Sequence, residues 1–494
     1  MEILNFINRE EELKFLDEKY RDKTRQLVVL YGRRRVGKSE LIMHSSKEKP
    51  HIYLLSDKRG TESNVLRFSS KCAEYFGDPS PNFKEFDDLF RYIAKRAEGK
   101  RLIIAIDEFS YLVEKDPAVP SVFQLCWDEI LKNTKIMLIL CGSSISMMLK
   151  GALSYESPLY GRRTGQWKVS PLKFRHVIKF FPKKSLEEII GFYSLAGGIP
   201  EYLIKMDPAL DLRQNILTKV LSKGEFLFQE VDFLLQEELR DPSTYKSILA
   251  AMAASAKVTD IANKAGVPAS DMPKYLNVLQ KIELVEKRLP VTEFRSKKSS
   301  YRIKDNFFRF WFRFAFPYLS ELEEGRGEEI LKKQEAKLTR HISDVFENVC
   351  LEALMLKEGP NYNKYGKWWG SYREEGERKV QEIDIVALNE KTEDALFAEC
   401  KFEKGVNAPD VLDSLRKKAG LVEWKRKSER FVLFAKSFSK RSEEKGVTLI
   451  DLKDLEKIFG YRHADEPSFT IVSAEPTQRI ENGQTRLGEF GFFD

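Results

Sequence analysis

Cysteine and histidine are scarce in this chain, and long apolar runs are missing from it. The 494 residues hold only Cys72, Cys126, Cys141, Cys350 and Cys400, with no CxxC pair. Neither a zinc site nor a disulfide framework is suggested by that spacing, and buried thiols are expected. His44, His51, His176, His341 and His463 form no metal-like pair and receive no catalytic role. No stretch reaches the roughly 18 apolar residues of a membrane span, and the first twenty residues mix acidic and basic groups instead of forming a signal-peptide block. A cytoplasmic location with no membrane partner is the expectation. The net charge of +7 is small for this length, so any nucleic-acid surface has to be local.

What is present suits folded cores. Hydrophobic residues make up 42% and charged residues 32%, a balance that buries apolar surface while staying solvated. The length implies two to four domains of about 100 to 200 residues each. Residues 2–172 alternate short apolar strands with helical stretches, the pattern of a parallel sheet flanked by helices. Strands are read at Leu27 to Tyr31, His51 to Leu55, Leu102 to Ile106, Ile136 to Cys141 and Trp167 to Leu172. Asn8 and Glu11 have the spacing of a helix-capping pair. Residues 173–240 lack comparable strands, and Gly197-Gly198-Ile199-Pro200 reads as a break between helices, as a helical lid would have. From 243 to 303, three helical patterns precede two strand-like segments joined by a basic stretch with Arg295, Lys297 and Lys298, the order of a winged helix-turn-helix. The domain boundaries expected are 1–172, 173–240, 241–330, 335–460 and a tail over 461–494.

Gly32-Arg33-Arg34-Arg35-Val36-Gly37-Lys38-Ser39 matches GxxxxGK[ST], follows an apolar strand and precedes a helix. In such a loop the glycines let backbone amides close around phosphate, Lys38 supplies a point charge and the Ser39 hydroxyl ligates magnesium. Leu102 to Ile106 delivers Asp107 to the metal shell, with Glu108 beside it to polarise an attacking water. In sequence, the strand His51 to Leu55 separates the two motifs, which suits ATPases with an added strand better than simple kinases. Ser143, after Cys141-Gly142, stands where a γ-phosphate sensor sits. Arg162 and Arg163 are candidates to stabilise transition-state charge, in cis or across the interface of a homo-oligomer; a solvated basic turn is the alternative. ATP and Mg2+ are the cofactors implied.

Phe6-Ile7-Asn8-Arg9-Glu10, the loop from Tyr31 to Lys38, Asp107-Glu108, Tyr160-Gly161-Arg162-Arg163 and Gly197-Gly198-Ile199-Pro200 together resemble the archaeal-type ATPase family, which is similar to AAA+ and STAND ATPases. The resemblance covers roughly residues 2 to 320 and implies an ATPase core, a helical lid and a winged helix. Within the last, Lys274, Asn277 and Gln280 at i, i+3, i+6 share a side that could enter a DNA major groove, with protein contact as the alternative. The dense aromatic run Phe307 to Phe314 reads as packing between domains.

Residues 340–460 switch to a helix, β-rich segments, and then alternating helix and strand. Glu347 falls on the helical pattern, Asp384 in the strand Glu382 to Leu388, and Glu399 and Lys401 in the strand Leu396 to Phe402, with Asn389 to Asp394 as the turn. On adjacent strands, Asp384 and Glu399 can converge on a divalent cation, with Lys401 facing the same side. The arrangement resembles PD-(D/E)xK nucleases, and the domain looks like the C-terminal partner found with archaeal-type ATPases. Ile383 departs from the family's proline. The resemblance implies Mg2+ or Mn2+ at Asp384 and Glu399 and phosphodiester cleavage by Glu347, Asp384, Glu399 and Lys401. Fold class is therefore α/β and multidomain: an AAA+-like P-loop sheet, a helical lid, a winged helix and a nuclease-like domain. The expected function is an ATP-hydrolysing DNA-processing protein whose nucleotide state gates cleavage. The rivals are a regulatory switch with an inactive nuclease-like scaffold and a chaperone-like ATPase without nucleic acid. In the tail, Gln484, Leu487 and Phe490 resemble a sliding-clamp-binding peptide, with Gly491 where a second aromatic often follows.

Overall fold

Alternate residues of the first strands point to opposite cores. The computed structural model describes residues 6–293, 299–374 and 377–461. Five parallel strands, β1 (Gln26–Tyr31), β2 (His51–Leu55), β3 (Leu102–Asp107), β4 (Ile136–Gly142) and β5 (Gly165–Lys168), form one sheet in the order β2-β3-β4-β1-β5. Leu27, Val29, Ile104 and Leu138 face one apolar core, while Val28, Leu30, Ile103 and Ile139 face another. Burial on both faces is what a parallel sheet between helical layers requires, and it explains the near-continuous apolar runs in the sequence.

The order refines the sequence reading. His51–Leu55 intervenes between the two motifs in sequence but sits at the sheet edge; β4 is the strand inserted between β1 and β3. The fifth strand is shorter and earlier than expected, ending at Lys168. Its continuation fails because Pro171 has no N–H to give and the Leu172 amide goes to the carbonyl of Gly198 instead (2.7 Å). A Cβ on Gly198 would stand 1.9 Å from the Leu172 carbonyl oxygen, so only glycine allows this close crossing of the two backbone segments. The expected Asn8 to Glu11 cap does not form either. Asn8 and Arg9 are both left-handed, the helix Glu10–Arg21 has no side-chain cap, and Arg9 bonds Glu12 and the carbonyl of Val36.

Helices between Phe174 and Glu238 follow the sheet. Three more, Pro242–Ala254, Val258–Ala265 and Met272–Lys281, then lead into an antiparallel hairpin of β6 (Val285–Arg288) and β7 (Ser300–Ile303), the element order expected of a winged helix. Arg295, Lys297 and Lys298 lie outside the described residues. The aromatic helix Asn306–Phe314 is buried along nearly its whole length, Arg309 included, and shares one core with residues of the helices between Phe174 and Glu238 and with C-terminal residues, so its aromatics serve packing.

In the last unit one sheet has five strands, β8 (Lys364–Glu374), β9 (Glu377–Asn389), β10 (Asp394–Lys401), β12 (Ser428–Ala435) and β14 (Val447–Ile450), in the order β14-β12-β10-β9-β8. The first three are antiparallel neighbours, and β10, β12 and β14 run parallel. β11 (Val406–Asn407) and β13 (Phe438–Lys440) pair separately. Helix Glu335–Glu358 covers one face through Phe346, Val349 and Ala353, and helix Ala408–Gly420 covers the other through Leu412 and Leu415. Among the described residues no helix is long and apolar enough to cross a membrane.

Candidate nucleotide site and C-terminal carboxylate cluster

The loop after β1 turns back on itself because two of its residues are left-handed, Arg35 at φ 68° and Gly37 at φ 86°. That geometry aims the N-terminal amides of helix Lys38–Ser46 into one concavity suited to an anion. The Lys38 ammonium, 6% exposed, donates to the carbonyls of Gly32 (3.0 Å) and Arg33 (2.8 Å), and burial pulls its pKa down. Ser39 Oγ donates to Asp107 Oδ2 at 2.5 Å. Burial pushes the Asp107 carboxyl up, but hydrogen bonds from Ser39, Tyr53, Cys141 and the Glu108 amide outweigh it and hold it below its ordinary value. Ser39 and Asp107 therefore offer two hard oxygen donors side by side, which fits magnesium.

Glu108 starts the next helix in a left-handed conformation, a strained position for a non-glycine residue. Its Oε2 accepts from Ser143 Oγ (2.7 Å), the Ser143 amide (3.3 Å) and Ser110 Oγ (3.2 Å). Glu108 and Ser143 thus meet across the ends of β3 and β4. A cavity of about 420 Å³ is lined by Lys38, Ser39, Glu108 and Ser143 together with Arg34, Arg35 and, from the helices after the sheet, Pro200 and Glu237.

The three loop arginines reach carboxylates beyond the loop, and Arg34 and Arg35 also line this cavity. Arg33 Nη1 lies 2.5 Å from Asp305, whose other oxygen caps the aromatic helix through the Phe308 amide (2.8 Å). Arg34 Nε lies 3.0 Å from Glu237 and 3.8 Å from Glu238, and its Nη1 is 4.0 Å from Glu108. Arg35 Nη2 lies 2.7 Å from Glu230, a fully buried carboxylate that also accepts from Tyr202 (2.6 Å) and that burial pushes up to about 7. Sequence reading placed these arginines at the nucleotide and missed their partners. The one signal was the spacing of Glu230, Glu237 and Glu238 at i, i+7, i+8, a single face of helix Phe226–Glu238. Tyr53, which donates to Asp107, was missed as well.

Arg162 and Arg163 are not brought to this loop within the chain. They precede β5 at the end of the sheet opposite the phosphate loop, where Thr164 pairs with Leu27; Arg162 holds Asp128 (2.7 Å), and Arg163 bonds the Tyr160 carbonyl (3.1 Å) and Gln166.

In the last unit, Asp384 and Glu399 stand opposite each other on β9 and β10. The register pairs Ile385 with Ala398, and Asp384 Oδ2 accepts from the Cys400 amide (2.9 Å). Lys401 lies 3.0 Å from Glu399, as its spacing implies. Two lysines that no motif marked complete the cluster: Lys418 bonds both Glu399 oxygens (2.9 and 3.0 Å), and Lys367 bonds Glu347 (3.0 Å). Burial pushes Glu347 up to about 7 against the pull of Lys367, and burial followed by Glu399 raises Asp384. The donor chemistry is right for a divalent ion, but the arrangement does not fit one. Among the described residues no three His, Cys, Asp or Glu side chains converge to hold a metal, and ammonium groups stand against each carboxylate.

Lys274, Asn277 and Gln280 are all exposed on helix Met272–Lys281. Gln484, Leu487 and Phe490 lie outside the described residues.

Comparison with known proteins places this geometry in context. The family described as ATPase domain predominantly from Archaea matches residues 6–206, and one described as Archaea bacterial proteins of unknown function matches residues 311–418. The uncharacterized protein MJECL04 of Methanocaldococcus jannaschii is 38% identical over 462 residues, covering 91% of this chain and 99% of that protein. From the same organism, the uncharacterized ATP-binding protein MJ0423 is 55% identical over 40 residues, 8% of this chain and 68% of that protein. Among solved structures, the Walker-type ATPase PABY2304 of Pyrococcus abyssi has 22% identity and a TM-score of 0.49, covering 63% of this chain and 96% of that one. The ORC2 protein of Aeropyrum pernix has 13% identity and a TM-score of 0.41, covering 67% and 97%.

Proposed function

Because the chain belongs to the family of ATPase domains found predominantly in Archaea and also matches, over residues 311–418, a family of unknown function, we propose that it is an ATP-hydrolysing DNA-processing switch. Its nucleotide state would set the position of the lid and of the three-helix unit with its hairpin. The observation that carries this reading is the fan of consecutive arginines: Arg33, Arg34 and Arg35 leave one phosphate loop and reach carboxylates on two elements, Asp305 at the start of helix Asn306–Phe314, and Glu237 and Glu230 on helix Phe226–Glu238. A polyanion entering the loop competes with those carboxylates for the same guanidinium groups, so binding has a direct electrostatic route to both elements.

At the site itself, Lys38 releases two neutral carbonyls to meet phosphate, and Glu108, oriented through Oε2 by Ser143 and Ser110, takes a proton from the attacking water at Oε1, the oxygen 4.0 Å from Arg34 Nη1. Magnesium held by Ser39 and Asp107 supplies charge neutralisation on the phosphates when bound. Arg162 and Arg163, distant from the loop in their own chain, are left with a role in trans in a homo-oligomer. DNA is the proposed partner of the exposed Lys274, Asn277 and Gln280 face.

Hydrogen–deuterium exchange with and without ATP tests the switch. Protection changes are expected in helices Phe226–Glu238 and Asn306–Phe314. Exchange unchanged in both, with nucleotide bound, would sink the coupling.

A second reading, phosphodiester cleavage at Asp384, Glu399 and Lys401 with Glu347, is supported by the strand order β8-β9-β10 and by the cross-strand placement of the two carboxylates. Incubation with single-stranded, duplex and branched DNA in magnesium or manganese tests it, with Asp384→Ala as control. Binding without cleavage under every condition would favour the switch alone.

A further inference from the structure

Strand β8 carries into the carboxylate cluster a side chain that belongs to none of the motifs. Lys367 Nζ lies 3.1 and 3.0 Å from the two oxygens of Glu347, 3.6 Å from Asp384 Oδ1 and 3.8 Å from Glu382 Oε1, and its side chain is only 18% exposed. Its backbone is fixed as firmly as its head group. The Val291 amide, just beyond β6, donates to the Lys367 carbonyl (2.9 Å). The Val291 side chain shares a core with Trp368, and a Cβ on Gly366 would stand 3.2 Å from it. A divalent ion takes carboxylate oxygens at about 2.0 to 2.6 Å, so it cannot share Glu347 and Asp384 with an ammonium already lodged between them. The charges point the same way, since Glu347, Asp384 and Glu399 are faced by Lys367, Lys401 and Lys418.

We propose that Lys367 is the resident cation of this cluster, excluding divalent ions while β8 is seated on Val291. The inference rests on the cleavage reading in taking the cluster for a cation site, and it names the group that has to leave before a metal ion can enter. It also makes Val291, whose amide holds the Lys367 carbonyl, the contact that keeps β8 in place against the cluster.

The test uses the full chain carrying Asp107→Asn, so that the phosphate loop does not contribute, titrated with Mn2+ while free ion is followed by electron paramagnetic resonance. Lys367→Met is expected to bind Mn2+ about tenfold or more tightly than the parent, because a positive charge in contact with the ion is removed. The gain should vanish on adding Asp384→Asn, and Lys367→Arg, which keeps the charge, should behave as the parent does. Lys367→Gln replaces the methionine variant if thermal unfolding shows that the latter is not folded. Equal affinity in parent and Lys367→Met, lost in both with Asp384→Asn, overturns the proposal and leaves the cleavage reading standing. No Mn2+ binding by a folded Lys367→Met chain overturns both.

Discussion

The two charged sites of this chain spend their lysines differently. In the phosphate loop, Lys38 rests on two neutral carbonyls, and Ser39 is the hydroxyl partner of Asp107. An incoming phosphate takes an ammonium that, among the described residues, no carboxylate holds in a salt bridge, although Glu108 and Asp107 lie near enough to favour its charge. In the C-terminal cluster every lysine touches a carboxylate: Lys367 on Glu347, Lys401 and Lys418 on Glu399. A ligand there has to break ion pairs in a half-buried setting, where their mutual attraction is stronger than in water. Similar residue types therefore make one site ready for an anion and the other self-satisfied.

The largest effect expected from this contrast is on turnover. Glu108→Gln should lower ATP hydrolysis about 10² to 10⁴-fold while leaving nucleotide affinity within a few-fold, because the carboxylate acts on water and not on binding. Lys38→Ala should lose affinity itself. Phosphate release and equilibrium binding measured on both variants separate the roles; hydrolysis unchanged in both would remove the ATPase assignment.

Next come the ion pairs. Arg35→Ala strips Glu230 of its guanidinium in a fully buried setting, which should cost about 2 to 4 kcal/mol in urea unfolding at pH 8. The pH dependence has a definite sign. Burial raises Glu230 to about 7 in the folded chain from an ordinary 4.5. A raised carboxylate binds its proton more tightly in the folded state, so its stabilising contribution is full below about 4.5, is lost as pH rises, and levels off above about 7. The cost of Arg35→Ala should therefore shrink toward pH 5, where Glu230 holds a proton and needs no counter-ion. A cost independent of pH would show that Arg35 matters only for its stacking over Phe226.

In the cluster, Lys401→Met or Lys418→Met alone leaves Glu399 one ammonium and should cost about 1 kcal/mol or less. The double variant leaves a buried carboxylate bare and should cost more than the sum, about 3 kcal/mol. Additive costs would mean that the lysines do not share Glu399.

What the sequence made legible divides along the same line. The strands, the phosphate loop, Asp107-Glu108 and the Glu399-x-Lys401 spacing all rest on residues close together in the chain, and hydrophobic period or motif spacing marks them. Strand order does not: nothing local to Ile136–Gly142 says that it enters between β1 and β3. The arginine partners lie far along the chain, Asp305 being 272 residues from Arg33. Lys367 and Lys418 were invisible for a related reason. A lysine at a strand edge or on a helix looks like any solvated lysine until the fold supplies its carboxylate. The Asn8 to Glu11 cap was legible and wrong, because Arg9 is drawn instead to Glu12 and the Val36 carbonyl.

The smallest expected effect concerns helix Met272–Lys281, where the Lys274 ammonium lies over the Tyr275 ring, 5.9 Å from its centroid. Asn277 and Gln280 are exposed beside it, and among the described residues no carboxylate stands within salt-bridge distance of Lys274, in contrast to the lysines of the C-terminal cluster. If this face meets duplex DNA, Lys274→Ala removes one phosphate contact. Binding should then weaken about three- to tenfold near physiological salt, and the slope of log affinity against log salt should fall by about 0.9. Asn277→Ala and Gln280→Ala carry no charge and should leave that slope unchanged, altering only discrimination between sequences. Fluorescence anisotropy at four salt concentrations reads both quantities. Three variants with the parent's affinity and slope would assign this helix face to protein contact, and the comparison would then end with one anion site in the chain, the phosphate loop.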